Sequence, residues 1–302
     1  MRHNPVLLEE VLEHLALKQG ALVVDGTLGS GGHSEAMLRC LGPQGRLVGI
    51  DQDAEAIARC REIFGSDARV TLIHENFRNL GRVLRELDII AVDAVLLDVG
   101  TSSEQLADEQ RGFSFQLKGE LDMRMNTEVG FKASELLAKM SEKELATLFY
   151  EFGEERNANR FARTIVEARR HHPIQTTEDL IGALDQALPE FLRSKKGNRP
   201  VWAKRHPATR VFQALRIAVN DELNALKEGL TAAWERLGTG GRFAVISFHS
   251  LEDRIVKQQF RKWHDEKCGK LIFRKPIVAK REEILNNPRS RSAKLRVVER
   301  MT

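Results

Sequence analysis

The chain has 302 residues, of which 42% are hydrophobic and 30% charged, and a formal net charge of +4. No apolar run reaches the roughly 18 residues that a membrane span needs, the start shows no leader pattern, and Cys40, Cys60 and Cys268 are far apart and odd in number. The expectation is a cytoplasmic protein with no membrane span, disulfide framework or zinc site, long enough for two domains or for one with a large insertion. Charge is unevenly placed: residues 254–302 carry fifteen Lys or Arg against five Asp or Glu, on an otherwise acidic body. Such a basic end suits a polyanion or a solvated tail.

In chain order, apolar runs predict strands at 21–25, 46–51, 69–74 and 93–98. Helices are expected between them at 32–41, 54–63 (with Asp53 as cap) and 78–87. This βα alternation indicates a parallel sheet. After Gly100 the rhythm breaks, and residues 103–205 contain no convincing buried strand. Amphipathic helices are expected at 134–139, 142–152, 157–170 and 177–187, followed by a basic loop over 193–205. A long helix starts near Ala208, with Leu215, Val219, Leu223, Leu226 and Leu230 at spacings of three and four. Gly238 to Gly241 should stop it. A strand at 242–248, a helix at 251–263 and an antiparallel pair at 270–279 and 293–299 complete the prediction. The chain is thus read as a sheet domain of 1–102 and 206–302, interrupted by a helical insertion of 103–205.

The first strand ends in Asp25-Gly-Thr-Leu-Gly-Ser-Gly-Gly-His-Ser34, and the second ends in Asp51. An open α/β sheet builds a nucleoside pocket at such strand ends. Glycines let the backbone approach a ligand, and a carboxylate at Asp51 can accept bonds from two ribose hydroxyls. The cofactor is then S-adenosylmethionine or a dinucleotide. The dinucleotide pattern is G-x-G-x-x-G/A; here Gly29 and Gly31 give G-x-G, but the third position is Ser34. Asp25 also sits where a pyrophosphate would need a neutral or positive surface. An acid there suits the ammonium end of S-adenosylmethionine, which is the favoured reading.

Asp98 ends the fourth strand, at the same sheet edge as Asp25 and Asp51, so it can bind cofactor, hold a substrate amino group or simply cap a helix. Ser102 and Ser103 follow it and are read as shaping the loop rather than as nucleophiles. Phe77 can stack on an adenine or pack in the core. Ser247-Phe-His-Ser-Leu-Glu-Asp253 brings a His and two acids together, but in no metal-binding spacing. It is read as a strand-to-helix turn with Ser250 as cap and Asp253 at the third helical position, and His249 is left open as a pocket residue.

Taken together, the motifs resemble one family: the bacterial methyltransferases that modify the N4 amino group of a cytidine in small-subunit (16S) ribosomal RNA. The resemblance runs from His3-Asn-Pro-Val-Leu-Leu8 through the glycine loop, Leu97-Asp-Val-Gly100 and Ser102-Ser-Glu-Gln105. It continues through Arg111-Gly-Phe-Ser-Phe115, Leu121-Asp-Met-Arg-Met125, Gly153-Glu-Glu155 and His206-Pro-Ala-Thr-Arg-Val-Phe-Gln-Ala-Leu-Arg-Ile217. It ends with Ser247-Phe-His-Ser-Leu-Glu-Asp-Arg254 and Asn287-Pro-Arg-Ser-Arg-Ser292.

What the resemblance implies is a Rossmann-like S-adenosylmethionine-dependent sheet with an all-helical insertion that helps hold RNA. The cofactor contacts it implies fall on Gly31, Gly32, His33, Asp51, Phe77, Asp98 and Gln105, and the product is S-adenosylhomocysteine. The implied substrate resembles an assembled small subunit more than naked RNA. The chain departs from the family pattern at Val99, Thr101 and Glu104, and has Ala107 and Gln110 where acids are usual. Asp98 with Ser102 and Ser103, rather than an acid of that loop, are therefore the candidate catalytic groups. Lys195, Lys196, Arg199, Lys204, Arg205 and the cluster from Arg289 to Arg296 are candidate phosphate contacts. No metal or membrane is implied, and a homodimer stays open. The rival readings are a dinucleotide-dependent oxidoreductase and a non-catalytic RNA-binding protein.

Overall fold

The computed structural model describes residues 5–188 and 208–302. The chain folds as two compact units, Met1–Gly100 with Leu223–Thr302, and Thr101–Glu222. In chain order the first unit opens with α1 (Leu8–Leu15), β1 (Leu22–Asp25), α2 (Gly32–Leu41), β2 (Arg46–Asp51), α3 (Ala54–Phe64), β3 (Val70–His74), α4 (Leu80–Glu86) and β4 (Val92–Asp98). The second unit holds α5 (Ser103–Ala107), α6 (Ala133–Lys139), α7 (Glu142–Gly153), α8 (Ala158–His171), α9 (Thr177–Gln186) and α10 (Ala208–Asn220). The first unit resumes with α11 (Glu222–Arg236), β5 (Leu237–Ser247), α12 (Ser250–Asp265), β6 (Gly269–Leu271), α13 (Arg281–Asn286) and β7 (Lys294–Arg300).

The seven strands lie in the order β3-β2-β1-β4-β5-β7-β6. Strands β1 to β5 pair in parallel, while β7 runs antiparallel to both β5 and β6. This is the doubly wound arrangement, with the order reversing between β1 and β4. The strands read as continuous apolar runs because both faces are covered. Val23, Leu47, Leu96 and Ile246 pack under α1, α2 and α3. Their neighbours Val24, Val48, Leu97 and Val245 pack on the opposite face with α4, α11 and α12. Register then aligns the strand ends: Asp25 lies opposite Leu96, and Asp98 opposite Ile246.

Four expectations are corrected. The chain returns to the sheet unit at Leu223 rather than 206, because Val211, Phe212 and Leu215 of α10 are buried in the core of the helical unit. The long helix is two helices, since Asp221 takes a left-handed φ of 49° between them. The glycine segment does not merely end a helix. It forms the irregular start of β5, whose register against β4 slips between Val92 and Ala94. In the tail, most of 270–279 is not strand; beyond β6, only Ile277 bridges to Leu295. Helix α1 was not foreseen.

In the helical unit a buried arginine fastens the loop ahead of α6. Arg111 donates to the carbonyls of Arg124 and Met125, each at 3.0 Å, and accepts at its own carbonyl from Met123 N–H. Asn220 fastens the same loop by accepting from Met125 N–H and donating to the Met123 carbonyl, both at 2.7 Å. The Arg-Gly-Phe-Ser-Phe and Leu-Asp-Met-Arg-Met segments thus serve as internal scaffold. The basic loop at 193–205, with Lys195, Lys196, Arg199, Lys204 and Arg205, lies outside the described residues.

Candidate cofactor and active site

The carboxyl edge of the parallel sheet gathers Asp25, Asp51 and Asp98 at the ends of β1, β2 and β4. None of the three pairs with a Lys or Arg among the described residues. Asp25 is 1% exposed and shapes the loop, accepting from Ser34 Oγ at 2.7 Å and Thr27 N–H at 3.2 Å. Asp51 accepts from Gly29 N–H through one oxygen and from Asp53 N–H through the other, both at 2.8 Å. Each Asp51 oxygen keeps a second lone pair for a ligand. Burial pushes both carboxyls up to about 6.

Asp98 is the outlier. Burial, then the charges of Asp25 and Glu252, push its carboxyl up to about 8. Its Oδ1 is buried without a hydrogen-bond partner among the described residues, a costly state for a polar atom unless something else fills the role. Its Oδ2 lies 3.7 Å from His33 Nδ1. The His33 Nε2 sits 3.0 Å from the Val6 carbonyl, which assigns the proton to that nitrogen and leaves the Nδ1 lone pair towards Asp98. Burial lowers His33 to about 4, so the ring is neutral near pH 7. The Asp98 backbone N–H donates to Thr27 Oγ1 at 2.6 Å.

Thr27, Val6 and Glu252 are the contributors that the sequence reading did not assign. Glu252 is 2% exposed and caps α12, accepting from Phe248 N–H at 2.8 Å and His249 N–H at 3.1 Å. The expected cap is therefore corrected by one residue: His249 is the N-cap and Glu252 the third position. His249 turns onto its own helix, with Nε2 3.0 Å from Glu252 Oε1. Asp253 instead joins α12 to β7 through Lys294 at 3.0 Å and Arg296 at 2.7 Å. Those two cations of the expected phosphate cluster are thus engaged within the fold.

The glycine loop packs so closely on its own neighbours that side chains would not fit at Gly31 or Gly32. Gly31 has φ of 78°, and a Cβ there would lie 2.8 Å from the Phe64 ring and 3.1 Å from Cys60 Sγ. A Cβ on Gly32 would meet Pro5 at 2.5 Å. Gly29 also has a positive φ, of 54°. Gly31→Ala should destabilise the fold by about 2–4 kcal/mol, combining left-handed strain with overpacking. Chemical denaturation checks this; an unchanged midpoint would mean the loop repacks freely. The Phe77 ring packs against α11, where a Cβ on Gly229 would approach it to 2.4 Å, and it keeps partial exposure.

Ser102, Ser103 and Gln105 belong to the second unit. Ser102 is the N-cap of α5, accepting from Gln105 N–H at 3.1 Å, while Gln105 Oε1 accepts from Ser102 N–H at 3.0 Å. This capping box assigns the Ser102 hydroxyl a structural task rather than a nucleophilic one.

The site residues fit S-adenosylmethionine: a glycine loop with left-handed backbone beside the Asp51 carboxylate, which keeps lone pairs for hydroxyl donors, and buried acids with no Lys or Arg partner among the described residues, a setting that favours a cationic ligand. No helix among the described residues is long and apolar enough to cross a membrane. A model of the MraW methylase family matches residues 1–301. A protein of Geobacter sp. (strain M21) named Ribosomal RNA small subunit methyltransferase H is 46% identical, covering 99% of this chain and 98% of its own. Proteins of the same name from Heliobacterium modesticaldum and Halothermothrix orenii are 45% and 41% identical, covering 99% and 100% of this chain and 98% and 99% of theirs. The chain belongs to the MraW methylase family.

Proposed function

We propose that the chain transfers a methyl group from S-adenosylmethionine to the N4 amino group of a cytidine in 16S ribosomal RNA of the small subunit, releasing S-adenosylhomocysteine. The carrying observation is the acid cluster at the sheet edge, with Asp98 presenting a buried oxygen that no group among the described residues satisfies. The shared name of the full-length relatives supports the substrate class.

In this reading Gly29, Gly31 and Gly32 let the backbone close around the cofactor. Asp25 holds that loop, and Asp51 receives the ribose. Phe77 and His33 complete the cofactor set within this unit, while Gln105 serves the capping box of its own helix. Bound S-adenosylmethionine supplies an electrophilic methyl carbon on a positively charged sulfur. A cytosine amino group is a weak nucleophile because its lone pair is delocalised into the ring. Asp98, once ionised, accepts an amino N–H bond, localises that lone pair and takes the proton as bonding develops. Ser102 shapes the loop that follows, with Ser103 opening its helix. The target base must leave its stack to reach such a pocket. Thr101–Glu222 is assigned as the substrate-recognition unit.

The test is transfer from labelled S-adenosylmethionine to small subunits purified from cells lacking this protein, followed by nucleoside analysis. Label in N4-methylcytidine is expected. Cofactor binding without label would reject the substrate, and absence of both would favour a non-catalytic RNA-binding protein.

A further inference from the structure

Helix α8 divides its residues sharply between two faces. Ala158, Phe161, Ala162 and Ile165 are buried in the core of the helical unit. The opposite face exposes Arg160, Arg163, Glu167 and Arg170, and Arg156 stands exposed just before the helix. The three- and four-residue spacings place these arginines in one stripe, roughly 15 Å long from Arg160 to Arg170 at 1.5 Å per residue. Not every arginine of the helix is displayed. Arg169 is absorbed by the fold, donating to the carbonyls of Leu137 and Met140. Arg156, Arg160 and Arg170 have no ion-pair partner among the described residues, and Arg163 has only the exposed Glu142, at 3.5 Å.

Beside the stripe lies an open groove between α7 and the start of α8. Lys143, Tyr150 and Arg156 line it, together with the acids Glu142 and Glu151 of α7. Tyr150 is the single tyrosine of the chain and is 68% exposed. An exposed aromatic ring next to a cationic stripe is how proteins hold a single nucleic-acid strand: bases stack on the ring and phosphates meet the cations. Arginine suits the phosphate role because its planar fork pairs with two oxygens at once. The groove acids sit on α7, and the exposed face of α8 sets one acid, Glu167, against three arginines, so a phosphate chain is favoured along α8.

We propose that the α8 stripe, with Tyr150 at its edge, is a binding surface for a single strand of small-subunit ribosomal RNA. The inference rests on the proposed rRNA substrate, but its test reads binding directly. Binding of the full chain to unmethylated small subunits is measured across a salt series, beside methyl transfer. Three phosphate contacts contribute about 2 to the slope of log affinity against log salt. Replacing Arg156, Arg160 and Arg170 with Gln should therefore lower that slope by about 2 and raise KM at least tenfold, leaving kcat and cofactor affinity unchanged. Tyr150→Ala should weaken binding without changing the slope. An unchanged slope and KM in the triple variant, or no binding of subunits by the unmodified chain, overturns the surface. Binding with the expected slope change but no methyl transfer supports the surface and removes the catalytic reading instead.

Discussion

Asp98→Asn is expected to lower kcat/KM for small-subunit methylation by about 10²–10⁴-fold, the range typical of a lost proton acceptor. The substitution preserves shape but removes the charge and the capacity to take a proton. The main-chain bond from Asp98 N–H to Thr27 Oγ1 does not depend on the side chain, so the strand end should keep its place. The variant should also fold at least as well as the parent. A neutral amide no longer faces the like charges of Asp25 and Glu252, which with burial raise the parent carboxyl. A thermal midpoint equal to or above the parent's, combined with collapsed turnover, separates the chemical role from a structural one. Near-normal turnover in a folded variant would remove Asp98 from the chemistry and point to another acceptor.

The same acids show which part of the candidate site the sequence displays. Strands β1, β2 and β4 carry the runs 22–24, 47–50 and 94–97, covered by helices on both faces, so the first polar residue after each run marks the carboxyl edge. Asp25, Asp51 and Asp98 are those residues. What could not be read was long-range use of local patterns. The apolar spacing of α10 continues into α11, so one helix was expected, yet Phe212 and Leu215 belong to one core and Leu226 and Leu230 to another. Nothing in a 3.6-residue period says which core a face will meet. In sequence Lys294 and Arg296 are candidate phosphate contacts, whereas β7 places both beside Asp253. By contrast, the task of Gln105 was open to view. Ser102-Ser-Glu-Gln105 has the S-x-x-Q form of a capping box, and the structure uses it as one.

S-adenosylmethionine affinity is expected to fall about tenfold per pH unit below pH 8, roughly 100-fold by pH 6, while S-adenosylhomocysteine affinity changes far less. Asp98 sits at about 8, so the free protein keeps this proton through most of the neutral range. A cationic ligand prefers the ionised carboxylate, so binding below that value must release the proton, and added protons oppose it. The groups facing Asp98 reinforce the direction. Asp25 on β1 and Glu252 on α12 add negative charge, and His33 on α2, at about 4, stays neutral throughout the range. The two ligands share the same ribose, amino and carboxylate groups, so comparing them isolates the sulfonium charge. The stability sign runs alongside. A carboxyl raised from 3.8 to about 8 holds its proton in the folded chain after the unfolded chain has lost it. Its contribution therefore makes the free protein less stable as pH rises from about 4 to 8, and the sulfonium offsets that loss. Calorimetric titration of both ligands between pH 6 and 9, in two buffers of different ionisation enthalpy, measures affinity and proton release together. Parallel pH slopes for the two ligands, or no proton released with S-adenosylmethionine at pH 7, would show that Asp98 is not the group that senses the methyl donor's charge.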